Sequence, residues 1–179
     1  VFDGLHRGHM QLINTLKNVS SEMLSIVVTF SKHPLSILDS NFAPNYLCSV
    51  EDRVTMLNDT GVDAVIPLDF DEEIAALEAE TFVQLLCKNL HLKVLVVGPG
   101  FALGRKREGN VTALNLLGKK YGFSVQNVNP LSEQSSLITS TSIRESLKDG
   151  SVKTAGNLLG RNFTLKGRVV KGEGVGRTL

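Results

Sequence analysis

The first ten residues, Val1-Phe2-Asp3-Gly4-Leu5-His6-Arg7-Gly8-His9-Met10, combine an acidic residue, two glycines, two histidines and an arginine. The residues that follow carry apolar side chains at the spacing of one buried helix face: Leu12, Ile13, Leu16 and Val19. The decapeptide therefore marks the junction of a strand and a helix, with His6 and His9 on the same side of the first turn. A helix start presents unpaired N–H groups and the positive end of the macrodipole. Gly8 lets an anion approach the backbone, so we predict a phosphate site here.

The composition limits the class of protein. The 179 residues are enough for one good-sized domain, and 42% hydrophobic with 21% charged residues is typical of globular proteins. A formal net charge of +1 gives no broad attraction to nucleic acid or to an anionic membrane. Cys48 and Cys87 stand far apart, which fits a reducing compartment. No apolar run approaches the ~20 residues of a membrane span. We expect a cytoplasmic protein with neither membrane nor nucleic acid as a partner.

Short apolar runs alternate with amphipathic stretches along most of the chain. Strands are predicted over residues 24–30, 62–68, 93–97 and 124–128. Helices are predicted over 50–60, 112–121, 140–150 and 152–159, and one more helix is predicted within 70–90. This alternation predicts an α/β fold with a parallel sheet and right-handed crossovers. Ligands of such sheets bind at the carboxyl ends of the strands. The tail changes character, because residues 163–171 alternate in the manner of a strand that begins a different, all-β domain.

His6 and His9 carry the strongest chemical signal. Two histidines three positions apart can ligate zinc, but a third ligand is needed and only Asp3 is near in sequence. An HxGH sequence that follows a strand and opens a helix fits nucleotidylyl transfer, because charge grows on phosphate oxygens in the transition state and fixed donors stabilise it. We favour this interpretation over the metal site and over ordinary turn histidines.

A second group of phosphate-binding residue types lies far along the chain. Ser140-Thr141-Ser142 opens a predicted helix, and Arg144 lies one turn in. Serine and threonine at a helix start are often plain caps. Three hydroxyls followed by an arginine suited to bidentate phosphate contacts also favour an anion site. Together with the distant HxGH sequence, the anion site is the stronger interpretation.

Two loops stay ambiguous on residue types alone. Residues 98–110 combine glycines with three consecutive basic residues, and either cradle a phosphate or form a solvated basic loop. The sequence Thr-Phe-Ser-Lys-His-Pro at 29–34 directly follows a strand, so His33 either contacts a ligand or belongs to a surface turn. His91 lies at a helix end between two leucines and is interpreted as structural.

These motifs together resemble the FAD synthetase module of the prokaryotic bifunctional riboflavin kinase/FMN adenylyltransferase family. The motifs occur in the order of that family: FDGLHRGH at 2–9, TFxxHP at 29–34, VGxxFxxG at 97–104 with a following RxG, and STSIR at 140–144. HxGH alone would mark only the wider nucleotidylyltransferase superfamily. Residues 158–161 and 176–179 also resemble the family's linker and the start of its riboflavin kinase barrel, and the resemblance covers nearly the whole chain.

The resemblance implies a fold and a reaction. The fold would be a Rossmann-like parallel sheet with helices on both faces, of the HxGH nucleotidylyltransferase type, over residues 1–160. Residues 161–179 would begin an incomplete riboflavin kinase β-barrel, and sequence before Val1 would complete the first strand. The reaction would join FMN to the AMP part of ATP, with Mg²⁺ as cofactor and pyrophosphate released. The FMN phosphate would attack the α-phosphorus directly, and the parent protein would also phosphorylate riboflavin.

The resemblance also implies roles for individual residues. The catalytic residues would be His6, His9 and Arg144. The ATP-binding residues would be Phe2, Asp3, Gly4, Gly8, Gly98, Ser140 and Thr141. The flavin-binding residues would be Phe30, His33, Phe70, Phe101 and Arg107. Asp3 would either orient the histidines or approach the metal, and no residue is assigned as a metal ligand.

Two positions depart from the family pattern. Gly100 stands where the family usually carries Asn or Asp, and Lys32 stands where proline is common. Two alternative functions stay open. One is another HxGH nucleotidylyltransferase, such as one acting on phosphopantetheine, which the barrel-like tail argues against. The other is a non-catalytic nucleotide-binding relative, of which Gly100 would be the sign.

Overall fold

The computed structural model describes residues 1–19, 21–39, 41, 45–133 and 136–172. The barrel-like residues 173–179 lie outside this set. The elements in chain order are α1 (Arg7–Lys17), β1 (Ile26–Phe30), α2 (Leu35–Leu38), α3 (Val50–Asn58), β2 (Ala64–Leu68), α4 (Glu72–Ala76), α5 (Ala79–Leu90), β3 (Val94–Val97), β4 (Ala102–Leu103), a 3₁₀ turn (Arg105–Arg107), β5 (Gly109–Asn110), α6 (Val111–Tyr121), β6 (Ser124–Asn127), β7 (Ser132–Glu133), β8 (Ser136–Leu137), α7 (Ser140–Lys148) and α8 (Val152–Leu159).

The predicted α/β fold is confirmed, with parallel strands joined by helices. Strand β1 pairs in parallel with β2, from Ile26 opposite Ala64 to Phe30 opposite Leu68. Strand β3 pairs in parallel with β6 in the same way. Parallel neighbours need a crossover, and α3 and α6 lie on these two connections. Among the described residues the two pairs are not hydrogen-bonded to each other.

Three apolar clusters hold the helices against the strands. The first contains Leu5, Ile13 and Val27 and lies directly under the histidine turn, so burial of the α1 face positions that turn. The second joins Leu47 to Ile143 and to α8, which draws the loop before α3 against α7. The third lies between α5, α6 and β6. Burial of apolar surface of this kind is the main stabilising term of a fold.

Several elements differ from the sequence prediction. The helix predicted within residues 70–90 is α5, and a separate short helix, α4, which was not predicted, precedes it. The two are divided at Leu77, which adopts an extended backbone and whose carbonyl accepts a hydrogen bond from the Arg105 amide. The hairpins β4–β5 and β7–β8 were not predicted. Residues 162–172 form no strand. A strand needs a hydrogen-bonded neighbour, and Val169 in this segment is 97% exposed.

In the part of the chain that the structure describes, no helix combines the length and apolar character that crossing a bilayer requires.

Candidate active site

The two histidines lie at the start of α1 and form one stacked pair. His6 is the N-cap residue, and its Nδ1 accepts a hydrogen bond from the His9 amide at 3.3 Å. The rings lie 3.6 Å apart between centroids at an interplanar angle of 19°. A Cβ at Gly8 would lie 3.2 Å from the His6 ring, so glycine leaves room for that ring to fold back over the helix start. Because Nδ1 is an acceptor, the His6 proton is carried by Nε2.

Both histidines are neutral near pH 7. Burial lowers the pKa of His6 from 6.5 to about 4, despite the opposing charge of Asp3. Burial also holds the pKa of His9 well below its ordinary value, and positive charge on His6 or Arg53 acts in the same direction. The pair therefore offers neutral N–H donors, and any positive charge in the site must come from other groups.

The turn before α1 adopts an unusual backbone. Phe2 and Leu5 have φ angles of 55° and 38°, a region that L-residues other than Asn and Asp rarely occupy. Gly4 has φ of 75°, and a Cβ there would lie 2.6 Å from Leu47 Cδ1. The Phe2 ring contacts the His9 ring at 5.0 Å. Backbone strain of this kind persists only where surrounding contacts fix the conformation.

Asp3 supplies those contacts. Its carboxylate, 3% exposed, accepts hydrogen bonds from the Leu47 amide at 2.9 Å and from Arg144 Nη2 at 2.8 Å. Its main-chain carbonyl accepts a hydrogen bond from Ser140 Oγ at 2.8 Å. The carboxylate is thus bound to Arg144 and Leu47 rather than to a histidine. The structure brings the first motif and the Ser140–Arg144 motif together through one residue.

Helix α7 begins at Ser140, as the sequence predicts, and its capping residue lies one position earlier. Thr139 is the N-cap residue, and it forms a reciprocal capping box with Ser142. The Ser142 hydroxyl is therefore a cap, whereas the Ser140 hydroxyl is bound to Asp3 and Thr141 is exposed. Arg144 is also held by the Asn45 carbonyl, to which its Nε donates at 2.7 Å.

The residues assigned to the flavin side fall into two groups. Phe30 and Phe70 lie at the carboxyl ends of β1 and β2 and form an edge-to-face pair with centroids 5.0 Å apart. His33 lies beyond β1, where its amide donates to the Tyr46 hydroxyl at 2.8 Å. Burial lowers the pKa of His33, and Arg144 and Asp3 are among the charges that act on it. Of these three residues, His33 is the one linked to the Asp3–Arg144 pair, because the charges of both partners act on its pKa.

Phe101 and Arg107 belong to the second group, in a loop fastened to α5. The Arg105 amide donates to the Leu77 carbonyl, and the Ala79 amide donates to Glu108 Oε1 at 2.8 Å. Arg107 Nη2 donates to the Gly100 carbonyl at 2.6 Å. At the other end of the loop, a Cβ at Gly98 would lie 3.3 Å from Leu12 of α1. The loop thus begins beside the histidine helix and is tied down away from it.

Gly100 has φ of 65°, and a Cβ there would meet no atom within 4 Å. This is a conformation that Gly and Asn both adopt readily. The departure from the family pattern at this position therefore leaves the loop backbone unstrained.

Sequence analysis missed one residue next to the site, Arg53. It is fully buried in α3, and its Nη1 donates to the Phe30 carbonyl at 2.6 Å and to the Val1 carbonyl at 3.1 Å. The signal was present in the sequence, because residue 53 lies on the apolar stripe formed by Val50 and Leu57. A charged residue on a buried helix face indicates a specific partner inside the protein.

Comparison with known proteins gives consistent matches. A family profile described as FAD synthetase matches residues 1–142. The bifunctional riboflavin kinase/FMN adenylyltransferases of Escherichia coli K12 and of Buchnera aphidicola from Acyrthosiphon pisum are 36% and 35% identical to the chain over 99% of its length. A crystal structure described as a macrolide-efflux protein from Streptococcus pneumoniae superposes with a TM-score of 0.84 at 31% identity, over 97% of this chain and 58% of the other. The chain spans 58% of the length of the two curated relatives.

The buried Asp3 charge yields a stability prediction. Arg144→Met should lower the free energy of unfolding by about 2–3 kcal/mol, because it leaves a buried carboxylate without its cation. Arg105→Met is the matched control, since it removes an exposed ion pair with Glu78 and should cost less than about 1 kcal/mol. Urea unfolding of both variants measures the two values. Equal losses would contradict the role given to Asp3.

The depressed pKa of His6 yields a pH prediction. Between pH 6.5 and about 4, the unfolded chain binds a proton at His6 that the folded chain does not, so acid favours unfolding. His6→Asn keeps a capping acceptor and removes this titration. The stability of the wild type relative to His6→Asn should fall with decreasing pH in this window, by at most about 1.4 kcal/mol per unit. Unfolding measured at pH 7, 6 and 5 tests this, and a constant difference would refute it.

Proposed function

The chain belongs to the FAD synthetase family, and on this basis we propose that it transfers the adenylyl group of ATP to FMN, giving FAD and pyrophosphate. The main support for the proposal is the pair of hydrogen bonds that Asp3 accepts from Ser140 and Arg144. Through them the start of α7 lies against the turn that leads to the stacked histidines at the start of α1. Two helix starts, neutral donors and one arginine form a site suited to a polyphosphate.

The proposed reaction is a direct displacement. An oxygen of the FMN phosphate forms a bond to the α-phosphorus of ATP while the bond from that phosphorus to the bridging oxygen of pyrophosphate breaks. His6 and His9 donate hydrogen bonds to phosphate oxygens as charge grows on them. Their low pKa values suit this role, because a neutral imidazole donates without having to be recharged at neutral pH. Arg144 provides positive charge to the departing pyrophosphate, and no covalent enzyme intermediate is formed.

The remaining ATP contacts are proposed around these groups. Phe2 and Gly4 shape the strained turn, and Gly8 leaves room for the His6 ring. Gly98 lies against α1 where the nucleotide would run along the helix, and Thr141 exposes its hydroxyl at the first turn of α7.

The flavin is proposed to bind at the carboxyl ends of β1 and β2. The Phe30–Phe70 pair offers an aromatic surface for the isoalloxazine ring. His33, on whose pKa the charges of Arg144 and Asp3 act, is proposed to contact the phosphate side of the flavin nucleotide. Phe101 and Arg107 close the far side of the site from the loop that begins at Gly98.

Mg²⁺ is proposed to arrive with ATP. Within the described ranges no three His, Cys, Asp or Glu side chains cluster as metal ligands, and both Asp3 carboxylate oxygens are bound to protein donors. This donor set fits a cation held mainly by substrate phosphates, as Mg²⁺ often is. Bound there, Mg²⁺ would neutralise charge on the polyphosphate.

The proposal extends to the parent protein. The relatives named above are bifunctional, so we propose that residues 1–160 carry adenylyl transfer and that residues 161–179 lead into a riboflavin kinase domain.

A substrate comparison tests the proposed activity. The protein is incubated with ATP, Mg²⁺ and either FMN or phosphopantetheine, while pyrophosphate and FAD are followed. Pyrophosphate should form in the reaction that contains FMN, together with an equal amount of FAD, and not in the reaction that contains phosphopantetheine. Pyrophosphate with phosphopantetheine would favour the alternative adenylyltransferase, and ATP binding without any pyrophosphate would indicate a non-catalytic nucleotide-binding protein.

The histidines yield a kinetic prediction. His6→Ala or His9→Ala should each lower kcat by ~10²–10³, the usual cost of a lost transition-state donor. His91→Asn is the matched control, because His91 ends α5 with φ of 50°, which Asn also adopts. Its kcat should match that of the wild type. Full turnover in the His9 variant would remove the role proposed for the pair.

A further inference from the structure

Arg53 is the largest fully buried side chain among the described residues, and the functions proposed above do not use it. One of its nitrogens, Nη1, donates to the carbonyls of both Phe30 and Val1. Its Nε and Nη2 are buried without a well-aligned hydrogen-bond partner in the described part of the chain, and the Cys48 thiol lies beside the guanidinium. A buried cation whose neighbours are neutral carbonyls and a thiol, with no carboxylate bound to it, is costly. An apolar side chain of the same length would fill this space in α3 at lower cost, so packing alone does not account for Arg53.

The two carbonyls belong to opposite sides of the site. Phe30 ends β1, where the flavin is proposed to bind. Val1 precedes the turn that leads through Asp3 to the histidines, where ATP is proposed to bind. The Thr29 hydroxyl, also buried, donates to the same Val1 carbonyl at 3.0 Å. A single guanidinium nitrogen therefore connects the backbone on which each half of the site is built.

A third segment reaches the same guanidinium. The Tyr46 ring lies with its centroid 6.0 Å from Arg53 Cζ, within the range of a cation–π contact. The Tyr46 hydroxyl accepts a hydrogen bond from the His33 amide. Residue 47 of this segment in turn donates to Asp3. The Tyr46–Leu47 segment, whose tyrosine hydroxyl holds the His33 amide, is thereby held to Arg53 on one side and to Asp3 on the other.

We propose that Arg53 is a positioning residue for adenylyl transfer, which fixes the separation between the flavin-side backbone at Phe30 and the ATP-side backbone at Val1. This inference rests on the proposed function. Direct displacement needs the attacking oxygen and the α-phosphorus within about 3–3.5 Å and in line, and an error of about 1 Å in such a site can cost ~10²-fold in rate. Each substrate contacts mainly one side, so the separation affects turnover more than the binding of either substrate.

Arg53→Met is the central test, with the full chain. Methionine retains the length and apolar stem but donates no hydrogen bond. We expect kcat to fall by ~10–100-fold, while the dissociation constants of FMN and of a non-hydrolysable ATP analogue, each measured alone, change by less than about threefold. Arg53→Lys should recover part of the loss, because an ammonium can donate to both carbonyls. Lys120→Met, which removes an exposed ion pair on α6, is the matched control and should leave kcat unchanged.

A second measurement does not depend on activity. Burial is the main cause of the low pKa of His9, and positive charge on His6 or Arg53 lowers it further. Loss of the guanidinium should therefore raise the pKa of His9 in Arg53→Met, whereas Arg53→Lys keeps the charge and should leave it low. An NMR titration of the imidazole signals reports this directly. A change in folding stability alone would not make the pKa of His9 higher in Arg53→Met than in Arg53→Lys.

The outcomes separate the two proposals. Wild-type protein that makes no FAD refutes the proposed function, and the His9 titration then tests the placement of Arg53 without it. Wild-type turnover in Arg53→Met overturns the positioning role. So does loss of both substrate affinities in proportion to kcat, which would indicate a structural residue only. If Arg53→Met does not fold, Arg53→Gln replaces it, since its amide is too short to reach both carbonyls and the same fall in kcat is expected.

Discussion

The structure around the site depends on the burial of one carboxylate, that of Asp3. A buried charge is tolerated only when its oxygens are occupied, and here an amide and a guanidinium occupy them. Those donors come from the loop before α3 and from α7, which are distant from Asp3 in sequence. The need to satisfy the carboxylate therefore fixes three segments relative to one another. The strained backbone at Phe2 and Leu5 is held by these contacts, so the orientation of the histidine helix follows from the same constraint.

Much of this arrangement was predictable, because local rules decided it. The spacing of apolar residues located α1 and α3, and β-branched runs located β1 and β3, since their periods report burial directly. The HxGH and STSIR motifs were recognisable because anion binding at a helix start needs few residues close in sequence. Their meeting at Asp3 is a matter of tertiary structure. The sequence had left two roles open for this residue, and neither of them was a partnership with Arg144.

The parts that were not predicted depend on contacts between distant segments. The short helix α4 ends before α5 begins because the loop at Arg105 docks on Leu77 between them, and no local propensity indicates this contact. Thr139 caps α7 through a reciprocal capping box with Ser142, and the sequence interpretation had assigned the cap to no particular residue. The alternating tail did not form a strand, because alternation describes a surface but does not supply a hydrogen-bonded neighbour. Arg53 was missed because its position was judged from apolar neighbours alone.

Two buried charges of opposite sign, Asp3 and Arg53, fix the turn that precedes the histidine helix. Asp3 connects this turn to α7 through Arg144, and Arg53 of α3 connects the Val1 carbonyl to the Phe30 carbonyl of β1. Neither charge contacts a histidine through a hydrogen bond of its carboxylate or guanidinium, and the histidines are neutral. The positive charge of Arg53 lowers the pKa of His9, whereas the negative charge of Asp3 opposes the lowering at His6. The two buried ions thus fix the backbone that carries the histidines. Because Asp3 raises the pKa of His6 and Arg53 lowers that of His9, titration of the two imidazoles tests the positions of both ions.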